Sequence, residues 1–502
     1  MKTLSFIKRQ YSYTNTLFPL PFTFLFIVLM ATSSFSFLAA DESDSLPDAF
    51  DTKDLLWEIK LGSHQYTTPI IDAGQLFIGI DDRNLDHSAL TESGGGILKR
   101  LDPATGNTVW QMVIPRYKEG NIAPSHFNKW KCGVCSRPAI DGKRLYIVGP
   151  RGDVLCLDRN GQTDGNDGPF LKETLYMEAP ADYKLQRTDG DIIWEYNMID
   201  GVNVVPHDVC GSSPLLVGDY LYACTSNGQD NQHKYIVKPN APALIALDKN
   251  TGKLAAVETE GISKDTFHCN WSSPVEATVD GKAIILFGGG DGILYAFEPV
   301  TQTKDKPQSL KKLWEYDCCP ANYRYLDGKP KTYSTHRKRI ADGPSEIIST
   351  PTVIGNRVYV AIGQSPIHGA GQGMLTCIDM TTGNKIWQSA EVDRATSQAA
   401  VDDGLLYISD YSGQLHCIDA DNGQTYWQHD LEAGVWSASP IVTDGKVYIS
   451  TEKRVLWILK NAKQKKVLSR SKLKSPATTP LAHDGVFYLP TQKRLFAVKY
   501  GN

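Results

Sequence analysis

Two close cysteine pairs are the first candidates for chemistry in this 502-residue chain. Cys132 and Cys135 form a C-x-x-C unit, and Cys318 and Cys319 are adjacent. A C-x-x-C unit can attach haem when histidine follows it, but Ser136 follows here. Four thiolates could also hold zinc, so a zinc site made from both pairs is one alternative. We favour local disulfides or buried thiols, because disulfides persist in exported proteins.

Histidine, tryptophan and arginine side chains form the second set of candidates. They can bind metals, stack on planar ligands and pair with acidic groups. Seven histidines stand in long segments between predicted strands, namely His87, His126, His207, His233, His268, His336 and His368. The ligand-binding candidates are Arg137, His207, His268, Trp271, His336, Arg394 and Trp436. A metal or cofactor pocket requires several of them to converge. The alternative is that the histidines are solvated or capping residues, and that the tryptophans pack the rim of a funnel.

Motifs of the common enzyme classes are absent from the sequence. It contains no Walker motif, no G-x-S-x-G and no H-E-x-x-H. The stretch "DGNDG" lacks the spacing of a calcium loop, and "FGGGDG" is a glycine-rich turn without a following helix to hold phosphate. We therefore assign no catalytic residue and no metal ligand, and we leave open whether the protein is an enzyme.

The fold must bring these residues together, and an internal repeat in the sequence indicates which fold it is. The segment "CIDADNGQTYWQHD" at 417–430 restates "CIDMTTGNKIWQSA" at 377–390, forty residues earlier (417 − 377 = 40). Before such units stands a second half, with Ser/Thr-Pro, a short strand, a tight turn and a strand bearing an aromatic residue, as in "SSPLLVGDYLYAC". Eight copies of this half occur. A period of about 40–45 residues with four strands is typical of a β-propeller blade.

The copies predict an all-β fold, an eight-bladed β-propeller of four-stranded antiparallel blades over residues 55–499. The eighth copy ends "RLFAVKYGN" without an outer strand, whereas "LLWEIKLG" at 55–62 is an outer strand without a blade. Pairing the two closes the ring and leaves no unpaired edge. The tryptophans of the outer strands are predicted to dock each blade on its neighbour, and they are Trp57, Trp110, Trp194, Trp314, Trp387 and Trp427.

Strand order also assigns the loops to faces. The hairpins within each copy and the "TG" turns belong to one face, and most are short. The connections between second and third strands, and the crossings to the next blade, belong to the other face and hold most insertions. The insertion at 162–190 is an exception, because it follows a third strand. Long loops on one rigid face are where binding sites usually lie.

The "D-x-x-T-G-x-x-x-W" units resemble the repeats of pyrroloquinoline-quinone-type propellers. That superfamily includes quinoprotein alcohol dehydrogenases and the propeller lipoprotein of outer-membrane barrel assembly. Segments such as "CGVCSRP" and "GPSEIISTP" also resemble exported propellers of unknown function. The resemblance covers about residues 55–499 and implies the fold, while fold alone does not decide function.

The resemblance leaves two functions open. The first is a ligand- or protein-binding or scaffold module that acts through its loop-rich face on an unknown protein partner or a planar small molecule. The second is a diverged dehydrogenase with pyrroloquinoline quinone, and calcium, at the propeller axis. Quinoprotein dehydrogenases hold the quinone between a tryptophan and a disulfide of adjacent cysteines, with an aspartate as base. Cys318 and Cys319 are adjacent, but their context "YDCCPANY" does not match those enzymes.

The N-terminus predicts export. Lys2, Lys8 and Arg9 precede an uncharged stretch that ends at Asp41 and contains the apolar run "FTFLFIVLMA". We interpret residues 1–40 as a signal peptide, with an uncleaved membrane anchor as the alternative, and residues 41–54 as a short polar linker. The expected location is periplasmic, cell-surface or secreted. A net charge of −4 argues against nucleic acid as a partner.

Overall fold

Eight antiparallel sheets succeed one another along the chain, which confirms the predicted eight-bladed propeller. The computed structural model describes residue 46 and residues 48–51, 53–117, 131–230, 232–331, 345–365 and 370–500. The predicted signal peptide, residues 1–40, lies outside the described residues. The compact unit that contains the blades is Ser43–Asn502.

The outer strand of the last blade comes first in the chain, as β1 (Leu55–Lys60). Blades 1 and 2 contain β2 (Ile70–Asp72), β3 (Gln75–Asp81), β4 (Gly96–Leu101) and β5 (Thr108–Ile114), then β6 (Ala139–Asp141), β7 (Arg144–Val148), β8 (Asp153–Asp158) and β9 (Ile192–Asn197). Blades 3 and 4 contain β10 (Leu215–Val217), β11 (Tyr220–Cys224), β12 (Leu244–Asp248) and β13 (Leu254–Val257), then β14 (Val275–Val279), β15 (Lys282–Gly288), β16 (Ile293–Phe297), β17 (Gln308–Ser309, which joins blade 3) and β18 (Lys312–Asp317).

A small hairpin, β19 (Tyr325–Leu326) with β20 (Lys329–Pro330), follows blade 4. Blades 5 and 6 contain β21 (Thr352–Ile354), β22 (Arg357–Ile362), β23 (Met374–Asp379) and β24 (Lys385–Ser389), then β25 (Ala400–Asp402), β26 (Leu405–Ser409), β27 (Gln414–Asp419) and β28 (Thr425–Asp430). Blades 7 and 8 contain β29 (Ile441–Thr443), β30 (Lys446–Ser450), β31 (Val455–Lys460) and β32 (Val467–Lys472), then β33 (Leu481–His483), β34 (Val486–Pro490) and β35 (Arg494–Lys499), with β1 as the fourth strand.

Helices are short in the described part of the chain. They are α1 (Glu173–Tyr176), α2 (Met198–Gly201), α3 (Ile262–Asp265) and α4 (Ala321–Arg324), with one 3₁₀ turn at Gly161–Thr163. Among the described residues, none of these helices has the length and apolar character needed to cross a membrane.

The ring closes through β1 and β35, which pair antiparallel as predicted. Trp57 stands opposite Ala497, and Lys60 stands opposite Arg494. The N-terminal strand therefore completes the sheet formed by the last three strands of the chain. Because the first strand is locked to the last blade, no open edge remains at the junction.

Outer-strand tryptophans join neighbouring blades. Each donates its indole N–H to a backbone carbonyl in the turn between the third and fourth strands of the next blade. The pairs are Trp57 with Pro103 (2.8 Å), Trp110 with Arg159 (3.0 Å), Trp194 with Lys249 (3.1 Å), Trp314 with Met380 (3.0 Å), Trp387 with Ala420 (3.1 Å) and Trp427 with Ala462 (3.0 Å). The indole thus buries apolar area while its polar N–H stays satisfied.

Blades 3 and 7 lack this tryptophan, and in both cases the next blade has no such turn. Blade 4 replaces the turn with a longer connection that contains β17, which pairs in parallel with β13 of blade 3. In blade 8 the third strand is β35, the last strand of the chain, and the fourth is β1, the first strand. No turn therefore joins them. The core lies between the blades: Tyr407 and Trp427 of blade 6, for example, share one buried cluster with Val447 and Trp457 of blade 7.

Candidate functional site

One position of the repeat, taken from every blade, surrounds a cavity of about 1110 Å³. It is the second residue before the first strand, and it precedes the proline of the repeat in every copy except the sixth, where Ala399 follows it. The eight lining residues are Thr68, Arg137, Ser213, Ser273, Thr350, Gln398, Ser439 and Thr479. Because the blades are arranged around one axis, eight equivalent positions place this cavity at the axis. It opens among the crossings between blades, on the long-loop face.

Hydrogen bonds link neighbours in this ring. A backbone N–H of one blade donates to the side-chain hydroxyl of the next, from Arg137 to Ser213 (2.9 Å), Ser213 to Ser273 (2.9 Å), Gln398 to Ser439 (2.9 Å) and Ser439 to Thr479 (3.1 Å). The recurring Ser/Thr of the repeat is thus explained, since its hydroxyl satisfies a backbone donor of the preceding blade. In the sequence this unit indicates where strands begin, and nothing in it indicates that it lines the site.

Three aromatic residues stand on the cavity wall beside the ring. Tyr66, Trp271 and Trp436 are half-buried and line it. The rings of Tyr66 and Trp436 lie 5.5 Å apart at 41°, and the indole N–H of Trp271 donates to the carbonyl of Val209 (3.2 Å). Each aromatic ring therefore lines the cavity and can contact an occupant, and a ring contact or a hydrogen bond with the protein holds it in place.

Besides histidines, the described lining of the cavity contains one basic side chain, Arg137, and two acidic side chains, Glu452 and Asp208. Arg137 is exposed and is the single charged residue among the eight ring positions. On the wall, Glu452 accepts hydrogen bonds from the hydroxyl (2.6 Å) and backbone N–H (3.0 Å) of Ser437, and burial raises the pKa of its carboxyl group. The ring thus presents one cation among neutral hydroxyl and amide groups, which favours an acidic group on the ligand.

Three histidines from three separate loops meet on the long-loop face of blade 3. His207 lies in the crossing before β10, His233 between β11 and β12, and His268 in the crossing after β13. Nε2 of His233 is 3.0 Å from Nε2 of His207 and 2.9 Å from Nε2 of His268, and all three side chains are buried. Among the described residues, this is the one group of three or more His, Cys, Asp or Glu side chains close enough to hold a single ion.

The histidine cluster adjoins the axial cavity. His233 and Asp208 line the cavity, while His207 and His268 lie behind the wall. Trp271 covers the cluster, with its ring 4.9 Å from that of His268 in an edge-to-face arrangement. His233 was predicted to lie in a long loop but was not among the predicted ligand-binding residues. The available signal was that all three histidines belong to loops around one copy of the repeat.

The other predicted ligand-binding residues occupy different places. Arg394 is almost fully buried, its Nε lies 3.4 Å from Oγ of Ser345, and it is not part of the cavity wall. His336, like His126 and His368, lies outside the described residues. Arg137, Trp271 and Trp436 are the candidates that share the cavity.

All ten cysteines carry free thiols in the structure. Cys132 and Cys135 line the axial cavity, and the Cys135 thiol lies 3.6 Å from the carbonyl oxygen of Cys132. Cys318 and Cys319 are buried in the crossing from blade 4 to blade 5. The disulfides remain a prediction. The zinc site from both cysteine pairs gains no support, because the candidate ion site consists of histidines.

Among the described residues, the arrangement that the quinone alternative requires is not found at the axis. In that arrangement, adjacent cysteines and a tryptophan enclose the cofactor. Trp271 and Trp436 line the cavity, but Cys318 and Cys319 do not. The described residues therefore do not fit the quinone site of the dehydrogenases, and we derive no reaction through that cofactor.

Comparisons with known proteins agree with the repeat. A family model described as outer membrane protein assembly factor BamB matches residues 94–229 and 371–502, together more than half of the chain. The BamB protein of Shewanella oneidensis is 22% identical over 279 residues, which cover 53% of this chain and 62% of that protein. The chain spans less than two thirds of the length of this and other curated BamB relatives that it matches.

Solved structures show the same fold. BamB from Moraxella catarrhalis superposes with a TM-score of 0.53 at 15% identity, covering 89% of this chain and 97% of that one. A europium-containing methanol dehydrogenase gives a TM-score of 0.52 at 13% identity, covering 87% and 84%. The chain belongs to the family of the outer membrane protein assembly factor BamB, and its blades are propeller repeats of the pyrroloquinoline-quinone type.

Proposed function

We propose that this protein is an exported binding module that holds a polypeptide segment of a partner protein in its axial cavity. The observation that carries the proposal is the composition of that cavity. One small or polar residue from each blade forms its ring, and Tyr66, Trp271, Trp436 and Arg137 stand on its wall. Tyrosine, tryptophan and arginine are the residues most enriched in the energetic centres of protein interfaces.

The dimensions and chemistry of the cavity suit a peptide. A volume of about 1110 Å³ exceeds what most small-molecule sites provide. The aromatic faces can pack on apolar side chains, the ring hydroxyls can exchange hydrogen bonds with a peptide backbone, and Arg137 can pair with a carboxylate. We therefore expect a segment that combines an apolar or aromatic residue with an acidic one.

The family supports a protein partner over a small molecule. Curated relatives that the chain matches are named as assembly factors of outer membrane proteins. For this chain, a partner protein and an exported location are part of the proposal. A planar acidic molecule such as the quinone could stack on the same tryptophans, and it remains the competing occupant.

Site-specific photo-crosslinking tests the proposal with a control in the same blade. Gln398 lines the cavity and is exposed, whereas the exposed Asp403 lies five positions later, in the hairpin on the opposite face. A crosslinking residue at position 398, in protein expressed in its own exporting host, is expected to capture a partner that position 403 does not. Equal capture at both positions would contradict a site at the cavity.

Affinity measurements with the purified partner then assign the side chains. Trp436→Ala and Arg137→Ala are each expected to weaken binding by at least about tenfold, as removal of interface anchors does. Asp403→Ala is expected to leave the affinity unchanged. If instead the purified chain takes up one pyrroloquinoline quinone with calcium, followed by absorbance, and no partner is captured, the dehydrogenase alternative replaces this proposal.

A further inference from the structure

We propose that His207, His233 and His268 bind one first-row transition-metal ion through their Nε2 atoms, at the wall of the axial cavity. The inference goes beyond the binding function, and it does not depend on which molecule occupies the cavity. It rests on how three ring nitrogens converge and on how their rings are held.

The hydrogen-bonding capacity of imidazole makes this convergence unusual. Nδ1 of His207 lies 2.7 Å from the carbonyl oxygen of Gln229, so this nitrogen carries the proton and donates it. The Nε2 atom of the neutral His207 ring then carries a lone pair that points toward His233. This is the tautomer in which a histidine binds a metal through Nε2.

The distal nitrogen of His268 faces the carboxyl group of Glu346, at a separation longer than a hydrogen bond. Nδ1 of His268 lies 3.7 Å from Oε1 of Glu346, and both residues are fully buried. Glu346 is itself held by the backbone N–H of Cys269, at 3.2 Å from Oε2. A carboxylate behind the distal nitrogen of a histidine is a common outer partner of metal-binding histidines, because it fixes the ring and raises its basicity.

His233 lies between the other two rings. A single N–H at its Nε2 can point to only one of two acceptors at 3.0 and 2.9 Å, so a proton cannot serve both contacts equally well. One cation at the centre would accept all three lone pairs. Ligands around tetrahedral zinc, each about 2.0–2.1 Å from the ion, are about 3.3 Å apart, so the Nε2 atom of His233 needs to separate from each of its two neighbours by only a few tenths of an ångström.

The backbone supports a built site. His233 and Asp208 both adopt left-handed backbone conformations, with φ of 53° and 56°. Such conformations cost energy in residues other than glycine, and they concentrate where a site demands a particular direction. Oδ2 of Asp208 lies 3.5 Å from Nε2 of His207 on the cavity side. The cluster therefore consists of three converging imidazole rings with an acidic group toward the cavity.

The ligand type limits the choice of ion. Three imidazoles suit zinc, copper, iron or nickel, whereas calcium and magnesium prefer oxygen donors. Zinc and cobalt(II) are suitable probes, because zinc reports stoichiometry and cobalt(II) reports coordination by its visible spectrum. His233 and Asp208 line the cavity, so an ion bound to the cluster would be accessible to the occupant of the cavity.

The experiment uses the purified full chain, stripped with a chelator and titrated with cobalt(II) and then zinc. We expect about one cobalt per chain, with visible ligand-field bands of a low-coordinate nitrogen site, displaced by about one zinc. Zinc should also raise the melting temperature, because it binds the folded state. A chain that binds neither ion in stoichiometric amount, or cobalt without these bands, would overturn the proposal.

Variants identify the ligands. His233→Gln is expected to weaken zinc binding by more than about 100-fold, since loss of an outer partner alone costs about 10–100-fold. Glu346→Gln, which removes only an outer partner, should weaken zinc binding by about 10–100-fold. His64→Gln is the matched control, because His64 lines the same cavity outside the cluster, and it should bind zinc like the unaltered chain. Equal loss in the His64 and His233 variants would refute the assignment, and the cobalt spectrum of the unaltered chain decides the question even where a variant fails to fold.

Discussion

The indole of Trp387 in blade 5 lies directly against the α-carbon of Gly423 in blade 6. A Cβ atom at Gly423 would stand 2.7 Å from the ring, and φ there is +79°. The indole N–H meanwhile donates to the carbonyl of Ala420 in the same turn. Trp57 and Gly106 have the same relationship at the junction of blades 8 and 1. The repeated glycine and tryptophan of the sequence are therefore the two halves of one contact between neighbouring blades.

Gly423→Ala is expected to destabilise the protein by roughly 2–4 kcal/mol. The new methyl group would overlap the Trp387 ring, and the left-handed backbone would add strain. Gly404→Ala is the matched control, because Gly404 has φ +71° but nothing within 4 Å of the added atom. It should cost only about 1–2 kcal/mol of strain. Urea unfolding of both variants measures the difference, and equal losses would show that the tryptophan contact contributes nothing.

Trp57→Ala is expected to destabilise the ring closure by about 3–5 kcal/mol, as for a large core residue cut back to alanine. Trp57 is 8% exposed and joins β1 of blade 8 to blade 1. Leu56→Ala, at the neighbouring position of the same strand, is the control, because Leu56 is 47% exposed. Its effect should stay within about 0.5 kcal/mol. Comparable losses in chemical unfolding would mean that β1 contributes through its backbone alone.

The repeat could be predicted because each blade repeats the same local contacts. The eight copies, the closing strand and the outer-strand tryptophans all follow from a period written in the sequence. The histidine cluster could not be predicted in this way. His207 and His233 are separated by 26 positions, and His233 and His268 by 35, in three loops of unrelated sequence. Their meeting depends on loop conformations, including the left-handed backbone at Asp208, that no period encodes.

The position of the ring residues at the cavity also could not be predicted from the sequence. The Ser/Thr-Pro unit was recognisable, but only the geometry of closure places the residue before its proline at the axis. Arg394 illustrates the converse, because it precedes a first strand as Arg137 does and yet is buried away from the cavity. It stands four positions before Gln398, the residue of its copy that reaches the cavity.

Protein recovered from an oxidising compartment is expected to contain fewer than the ten free thiols that the chain encodes. Cys132 and Cys135 are the first pair to examine, because both line the open cavity and the Cys135 thiol contacts the Cys132 backbone. Thiol titration under denaturing, non-reducing conditions, with mass spectrometry of the linked peptides, makes the measurement. Protein made in a reducing cytosol should give ten thiols. Ten thiols in both preparations would disprove the disulfide prediction.

Asp291 is expected to make the protein less stable as the pH rises from about 4 to about 7. Its carboxyl group is buried between β15 and β16, where it accepts hydrogen bonds from the hydroxyl of Tyr295 (2.6 Å) and the backbone N–H of Ile293 (3.1 Å). Burial raises its pKa from 3.8 to about 7, although these hydrogen bonds and Arg324 act in the opposite direction. Between those two values the folded state binds a proton that the unfolded state has released. The free energy of unfolding therefore falls with rising pH and levels off above about 7.

Asp291→Asn should remove this dependence, because the asparagine side chain does not titrate. Relative to that variant, the unaltered protein should lose roughly 2–3 kcal/mol of stability between pH 5 and pH 8, from the stated pKa values at about 1.4 kcal/mol per tenfold change. Asp403→Asn, at an exposed hairpin position, is the control for a change in net charge and should follow the unaltered protein. Denaturant unfolding at pH 5 and pH 8 measures how the free energy of unfolding changes with pH in the unaltered protein and in the two variants. Parallel slopes for the Asp291 variant and the unaltered protein would show that this carboxyl group stays ionised in the folded state down to its ordinary range.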